Sequence, residues 1–335
     1  MQAMAVIIPV HNMARELQLC LDALWKNDLT DTEILVVDDG STDDAAAVAR
    51  SVRYLRTGRR KGPAAARNEG FRQTDAPYVL FLDADVVLPA DALAHIRETF
   101  EQHSANPAVV AVTGVYSEAI SGGFLTQFKN LNVAYLQATT PSITPYVHSA
   151  IFCVRREALE RCGGFDDRLR AAEDFRLGMI FGGKGYRCAI DRRVKGVHLK
   201  QYTLARLFQE DYRRIRDLQS IPLNPEQRAF FCRANRWSRL LSVIVPVPAA
   251  AAAGAAVAYS PAGMMAAALI AVFAALNSGF IRYCRSRRGF AFAAAAAGFL
   301  FIEMAWAQLC LVAVTLRRLP GSRGDERVFE DPGGA

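Results

Sequence analysis

The chain has 335 residues, a formal net charge of +7 and a hydrophobic fraction of 52%. A mean hydropathy of +0.10 beside 22% charged residues fits only a segregated chain: globular up to about 237, then dominated by Ala, Val, Leu and Phe over 240–316. Only six of the 40 basic residues are lysine, and arginines gather beside the apolar stretches (Arg233, Arg236, Arg239, then Arg282, Arg285, Arg287, Arg288). This grouping favours a membrane surface over nucleic acid as partner. The seven cysteines include no CxxC pair and no His/Cys cluster, which argues against a zinc site and a disulfide scaffold. No cleavable signal precedes the first strand pattern, so the globular part is expected to stay cytoplasmic.

The first half alternates short apolar runs with helical periodicity. Strands are predicted over 5–10, 33–38, 52–56, 78–82 and 109–115. Between them the pattern predicts helices over 13–26, from 43, over 63 to about 74, and over 90–103. In the first of these Leu17, Leu21 and Leu24 share one face. Nearly continuous Val/Ile/Leu strands separated by helices imply a mostly parallel sheet covered on both faces, an α/β doubly wound fold.

Beyond this region, 203–219 repeats Leu204, Leu207, Phe208, Tyr212, Ile215 and Leu218 at helical spacing among Arg206, Arg213, Arg214 and Arg216. Such a helix suits a membrane interface, or equally a docking face on the globular part. Three apolar stretches follow, 240–259, 261–281 and 289–316, each near the ~20 residues that span a bilayer. About three membrane helices are expected, with the arginine-rich 282–288 on the cytoplasmic side. Glu303 within the last is costly in lipid and should face protein. The expected organisation is therefore a globular domain at 1–200, an interfacial linker at 201–239, membrane helices at 240–318 and a polar tail at 319–335.

In open parallel sheets, ligands bind beyond the carboxyl ends of the strands. Chemically useful residues stand there. One strand pattern ends in Asp38-Asp39-Gly40-Ser41-Thr42-Asp43 and another in Asp83-Ala84-Asp85. Paired carboxylates at a strand end suit a hard cation such as Mg²⁺ or Mn²⁺ that bridges a diphosphate, one carboxylate taking the metal and the other a ribose hydroxyl. Asp39 can accept a bond from a pyrimidine ring N–H, while Ser41 or Asp43 is expected to cap the next helix. The helix opened by Gly62-Pro63-Ala64-Ala65-Ala66-Arg67-Asn68 offers its N-terminus, with Arg67 nearby, to an anion. Glu173-Asp174, on a polar turn before a helix, can supply a base.

Together these motifs resemble glycosyltransferase family 2, with its GT-A fold. The resemblance runs through VIIPVHN at 6–12, DDGSTD at 38–43, GPAAARNEG at 62–70, DAD at 83–85, RREAL at 155–159, GGFDDRL at 163–169 and AEDFRLG at 172–178, about the first two hundred residues. It implies that Val10 and Asn12 lie near the nucleotide, that Asp39 reads the base, and that Arg67 approaches base and diphosphate. It further implies that Asp83 contacts ribose and Asp85 binds Mg²⁺ or Mn²⁺, with His198 completing the metal shell. Asp174 would be the general base and Glu173 its support. The implied reaction is an inverting in-line transfer of a sugar, by family frequency from a UDP donor, to an acceptor at the plasma (inner) membrane such as a polyprenyl phosphate or glycolipid, in cell-envelope glycan or glycolipid synthesis.

Two departures matter. The family's glycine-bearing acceptor loop is read here as His148-Ser149-Ala150. The Gln-x-x-Arg-Trp of processive relatives is represented by Arg233-Ala234-Asn235-Arg236-Trp237, which speaks against chain polymerisation. A sugar-phosphate nucleotidyltransferase would need a Gly-rich basic loop where His11-Asn12-Met13-Ala14 stands. A silent membrane scaffold would not need intact acids at 39, 83, 85 and 174.

Overall fold

The computed structural model describes residues 3–222, 243–256 and 260–317, in two compact units that divide at Leu207 and Phe208. Arg233–Trp237, Cys232 and the tail from 319 lie outside the described residues.

In the first unit, among the described residues, nine strands form one sheet. They are β1 (Met4–Val10), β2 (Thr32–Asp38), β3 (Arg53–Arg56), β4 (Tyr78–Leu82), β5 (Val86–Val87), β6 (Val109–Tyr116), β7 (Ile143–Thr144), β8 (Ile151–Arg155) and β9 (Arg187–His198). The order is β3-β2-β1-β4-β8-β6-β9-β5, with β7 beside β9. β3, β2, β1 and β4 are parallel, β8 runs against β4 and β6, and β9 is again parallel to β6. This mostly parallel, Rossmann-like sheet carries the GT-A fold.

The helices divide between the two faces. On one lie α1 (Ala14–Leu24), the short α2 (Ala45–Val48) and α4 (Ala92–Gln102), packed on Met4, Val6, Ile8, Val36 and Leu80. On the other lie α3 (Pro63–Arg72), α6 (Arg156–Cys162) and α7 (Glu173–Gly183), packed on Ile7, Val37, Phe81, Phe152 and Val154. Alternation along β1 sends neighbouring residues to opposite cores, which is why its sequence reads as one unbroken apolar run. Leu17, Leu21 and Leu24 of α1 are all buried, as their spacing requires. Gly70 sits where a Cβ would stand 2.5 Å from Ile7, so α3 can lie directly on β1 and β2. α5 (Phe124–Thr139) lies beyond β6.

The second unit takes in α8 (Leu204–Ser220) from Phe208 onward, α9 (Pro246–Ala255), α10 (Ser260–Leu276) and α11 (Ser278–Arg317). α11 has non-helical φ of 83° at Gly289, directly after the arginines. Among the described residues it is the one helix long and apolar enough to cross a membrane; α9 and α10 are shorter. Of the three membrane helices expected, α11 has the length; in the first expected stretch Pro246 opens the ten-residue α9, and 240–242 and 257–259 of that stretch lie outside the described residues. Helix α8 forms where its periodicity predicts, and its apolar ridge is occupied by α11. The Phe208 ring stacks on Trp306 at 5.1 Å, Trp306 Nε1 donates to the Phe208 carbonyl at 3.0 Å, and Tyr212 packs with Cys310 and Val314. Glu303 is 4% exposed, so it faces protein as expected.

Candidate active site

Every acidic motif named from the sequence lies at the carboxyl end of the parallel strands or at the facing start of α7. Val10 pairs with Asp38 at the ends of β1 and β2, and the Asp39 amide donates to the Val10 carbonyl at 2.8 Å. The loops after these strands are laced together. Asn12, in left-handed backbone (φ 52°), accepts at Oδ1 from the Thr42 amide at 2.7 Å, and its own amide donates to Ser41 Oγ at 3.0 Å. Asp43 accepts from the Ala14 amide at 2.8 Å and so caps α1. Its other oxygen accepts from the Ala45 amide at 3.3 Å, so Asp43 also reaches the start of α2 as expected, although the N-cap position itself is Asp44, which makes no side-chain capping bond. Asp38 is buried; burial opposes its charge, but bonds from Ser41 and Tyr54 hold its carboxyl below the usual range. Burial and the bond to Asp38 in turn push the Tyr54 phenol up to about 12.

Asp39, 4% exposed, accepts at Oδ1 from the Lys61 amide (2.8 Å) and Thr57 Oγ (3.2 Å), and at Oδ2 from the Gly62 amide (2.6 Å). A carboxylate offers about four acceptor sites, so one remains at Oδ2. These bonds fix the entry to α3. Gly62 holds φ 99°, a left-handed conformation, and a Cβ there would stand 2.6 Å from the Arg170 guanidinium. Pro63 then occupies the first helical turn, where its missing N–H costs nothing.

Arg67 is 2% exposed. Its Nη2 donates to Asp83 Oδ1 at 2.6 Å, its Nη1 to Glu173 Oε1 at 2.8 Å, and the guanidinium lies 5.5 Å from the Phe165 ring centroid. Burial alone would lower its pKa, but the two carboxylates carry it above the ordinary value. Arg67 is thus turned onto its two carboxylates, of which Asp83 keeps a side chain 28% exposed. The neighbouring Asn68 clasps Phe165, donating to its carbonyl at 2.8 Å and accepting from its amide at 2.9 Å. The GPAAARN and GGFDD motifs are thus two halves of one contact.

Asp85 is 6% exposed and lies 3.4 Å from His198 Nε2. The two-residue β5 brings them together: Val86 pairs with His198 across the antiparallel ladder, and the Leu199 amide donates to the Asp85 carbonyl at 2.8 Å. Burial opposes the charge on Asp85, but His198 holds its carboxyl below the usual range. A carboxylate oxygen and an imidazole nitrogen 3.4 Å apart are donors of the type that would hold Mg²⁺ or Mn²⁺. Among the described residues no group of three or more His, Cys, Asp or Glu converges.

Glu173 and Asp174 are the first two residues of α7, where carboxylates complement the helix dipole; the sequence had placed them on the preceding turn. Glu173 is buried on Arg67, whereas Asp174 is half-buried and accepts at Oδ1 from the Phe175 amide at 2.7 Å.

The sequence reading missed Tyr116 and the setting of His148. Tyr116 stacks on His198 with centroids 4.5 Å apart and planes 7° apart, and His148 meets the Tyr116 ring edge-on at 4.7 Å. The signal was available: β6 runs one residue past the predicted end at 115, so Tyr116 is itself a strand-end residue. Cys20, Cys153 and Cys188 are buried and free, and burial pushes their thiols up, so none is a nucleophile.

Residues 5–163 match the family model described as Glycosyl transferase family 2. A pre-mycofactocin glycosyltransferase of Mycobacterium tuberculosis is 30% identical over 184 residues, covering 51% of this chain and 37% of that protein. Succinoglycan biosynthesis protein ExoO of Rhizobium meliloti is 25% identical over 226 residues, covering 62% of this chain and 63% of ExoO. The chain thus spans less than two thirds of these curated relatives. Among solved structures, mannosyltransferase PcManGT of Pyrobaculum calidifontis, in complex with GDP-Man and Mn²⁺, superposes with a TM-score of 0.62 at 26% identity, covering 90% of this chain and 87% of that one.

Proposed function

Residues 5–163 form a glycosyltransferase family 2 domain, and from that premise we propose that the protein transfers a sugar, with inversion, from a nucleoside diphosphate donor to a membrane-borne acceptor. The convergence of Asp39, Asp83, Asp85 and His198 at the strand ends, facing Glu173 and Asp174, carries this reading.

Asp39 offers its remaining acceptor site to the base, and Val10 and Asn12 shape that end of the cleft. Asp83, oriented by Arg67, takes a ribose hydroxyl. Asp85 and His198 would hold Mg²⁺ or Mn²⁺, which when bound neutralises charge on the departing diphosphate. The N-terminus of α3 adds its dipole. Asp174 removes the proton of the acceptor hydroxyl as that oxygen bonds to the anomeric carbon and the carbon–diphosphate bond breaks. Glu173, fixed by Arg67, supports it.

The apolar second unit supports a membrane-associated acceptor such as a polyprenyl phosphate or glycolipid, and membrane lipids as its surroundings. Placement at the plasma membrane, with the first unit cytoplasmic, follows from the same reading, as does the division at 1–200, 201–239, 240–318 and 319–335. A role in cell-envelope glycan or glycolipid synthesis accords with the glycan-building relatives. The test incubates detergent-solubilised protein and native lipid extract with GDP-mannose and a panel of UDP-sugars, then reads lipid products by mass spectrometry. One donor should yield a lipid product heavier by one sugar. Turnover of no donor, in the presence of Mn²⁺, would point to a silent scaffold.

A further inference from the structure

His198 stands behind Asp85 on the last residue of β9, and a single contact to one carboxylate does not fix the plane of an imidazole, which can turn about its Cβ–Cγ bond. Something else sets that plane. The Tyr116 ring lies face to face with His198 at 4.5 Å and 7°, and Tyr116 is itself held from three sides. Its amide donates to Gln137 Oε1 at 2.8 Å; Gln137, 1% exposed, also reaches His148 Nδ1 at 3.2 Å through Nε2. His148 closes on the Tyr116 ring edge-on at 4.7 Å and 80°. The Ser117 amide, next along, donates to the Gly196 carbonyl at 2.8 Å and keeps the two strand ends in register. Gly196 permits this approach, since a Cβ there would stand 2.6 Å from both Ile151 and Val86.

We propose that Tyr116 is a positioning residue that locks the His198 imidazole edge-on toward Asp85, with Gln137 and His148 bracing it from behind. This rests on the reading of Asp85 and His198 as ligands of a divalent cation. It also gives the His148-Ser149-Ala150 loop a role, through the His148 ring that meets Tyr116 edge-on. The stacked ring, not the hydroxyl, does the positioning.

The experiment titrates Mn²⁺ alone into the detergent-purified full chain and reads free Mn²⁺ by its electron paramagnetic resonance signal. Loss of an outer-shell partner typically weakens metal binding about 10–100-fold. Tyr116→Leu should show a loss of that size, and Tyr116→Phe, which keeps the ring, should bind nearly as wild type does. Phe152→Leu, a buried aromatic change elsewhere, should lower the melting temperature and leave Mn²⁺ affinity unmoved. If Tyr116→Leu does not fold, His148→Leu carries the test and should weaken Mn²⁺ measurably. Should His198→Ala weaken Mn²⁺ while folded Tyr116→Leu and His148→Leu bind it normally, the positioning role is overturned and the metal reading stands. If His198→Ala itself binds Mn²⁺ normally, the metal reading of His198 fails, and this proposal with it.

Discussion

Arg67 Nη1 donates to Glu173 Oε1 across 2.8 Å, tying α3 to the first residue of α7 while its Nη2 holds Asp83 at the end of β4. One guanidinium thus ties the end of β4 to the start of α7. Removing it would leave two carboxylates without their cation, one of them buried. Breaking a buried ion pair by deleting one partner costs about 3–5 kcal/mol, so Arg67→Ala should unfold well below wild type in a thermal or denaturant melt. Arg67→Lys should also fall short, since an ammonium cannot reproduce the two-pronged fork. A melt of Arg67→Ala superimposable on wild type would refute the assignment.

The base assignment separates two neighbours by role. Loss of a general base commonly costs about 10²–10⁴ in rate, whereas loss of a binding contact mainly raises KM. Asp174→Asn should bind donor with near wild-type affinity in calorimetry and fail at transfer. Glu173→Gln should be milder in turnover. Asp166, engaged by Arg168 at 2.7 Å, and Asp167 serve as comparators. Normal turnover in Asp174→Asn, with loss in Asp167→Asn, would move the base elsewhere.

Metal removal gives a third check. EDTA should abolish transfer, with recovery on added Mn²⁺ or Mg²⁺, and Asp85→Ala should lose both turnover and Mn²⁺ binding with its melting temperature little changed. Full activity in EDTA would rule the metal out.

A fourth expectation concerns pH and lies away from the cleft. Asp191, 6% exposed, accepts from Thr99 Oγ at 2.6 Å and from Arg193 at 2.8 Å, tying β9 to α4. Burial opposes its charge, but Arg193 and Thr99 hold its carboxyl below the usual range. A depressed folded-state pKa contributes stability that is present above the unfolded value near 3.8 and is lost as pH falls through the folded one. The melting-temperature gap between wild type and Asp191→Asn should therefore be widest at neutral pH and should close below about pH 4. A gap of constant size across that range would deny the linkage.

Much of the cleft was legible because strand ends announce themselves: apolar runs stopping at Asp38-Asp39 and Asp83-Ala84-Asp85 place their acids without any knowledge of long-range contacts. The strands of the first half emerged within a residue or two for the same reason. What the sequence concealed was pairing. Nothing local says that the two-residue β5 will seat Val86 against His198, or that Asp43 will reach across a loop to cap α1 as well as the helix it precedes. Strand β8, antiparallel to both of its neighbours, and helix α5 were not read from the sequence. The apolar ridge of α8 was read correctly, but its partner on α11 lies nearly a hundred residues away.

That pairing has a consequence for how α11 could meet a bilayer. From Trp306 onward one side of the helix is taken by α8, which carries charged side chains of its own, and at its other end Gly289 breaks the helix after the arginines. The stretch between Gly289 and Trp306 is about 16 residues, or about 24 Å at 1.5 Å per residue, with Ala293, Ala296, Leu300 and Glu303 turned to protein and the remaining faces left for hydrocarbon. Typical bilayers have hydrocarbon about 30 Å thick, so in such a bilayer the helix is the shorter partner, and thinning of the lipid around it is the accommodation expected. Reconstituted in lipids of graded chain length, the protein should turn over fastest in the shorter chains and slow as the acyl tails lengthen.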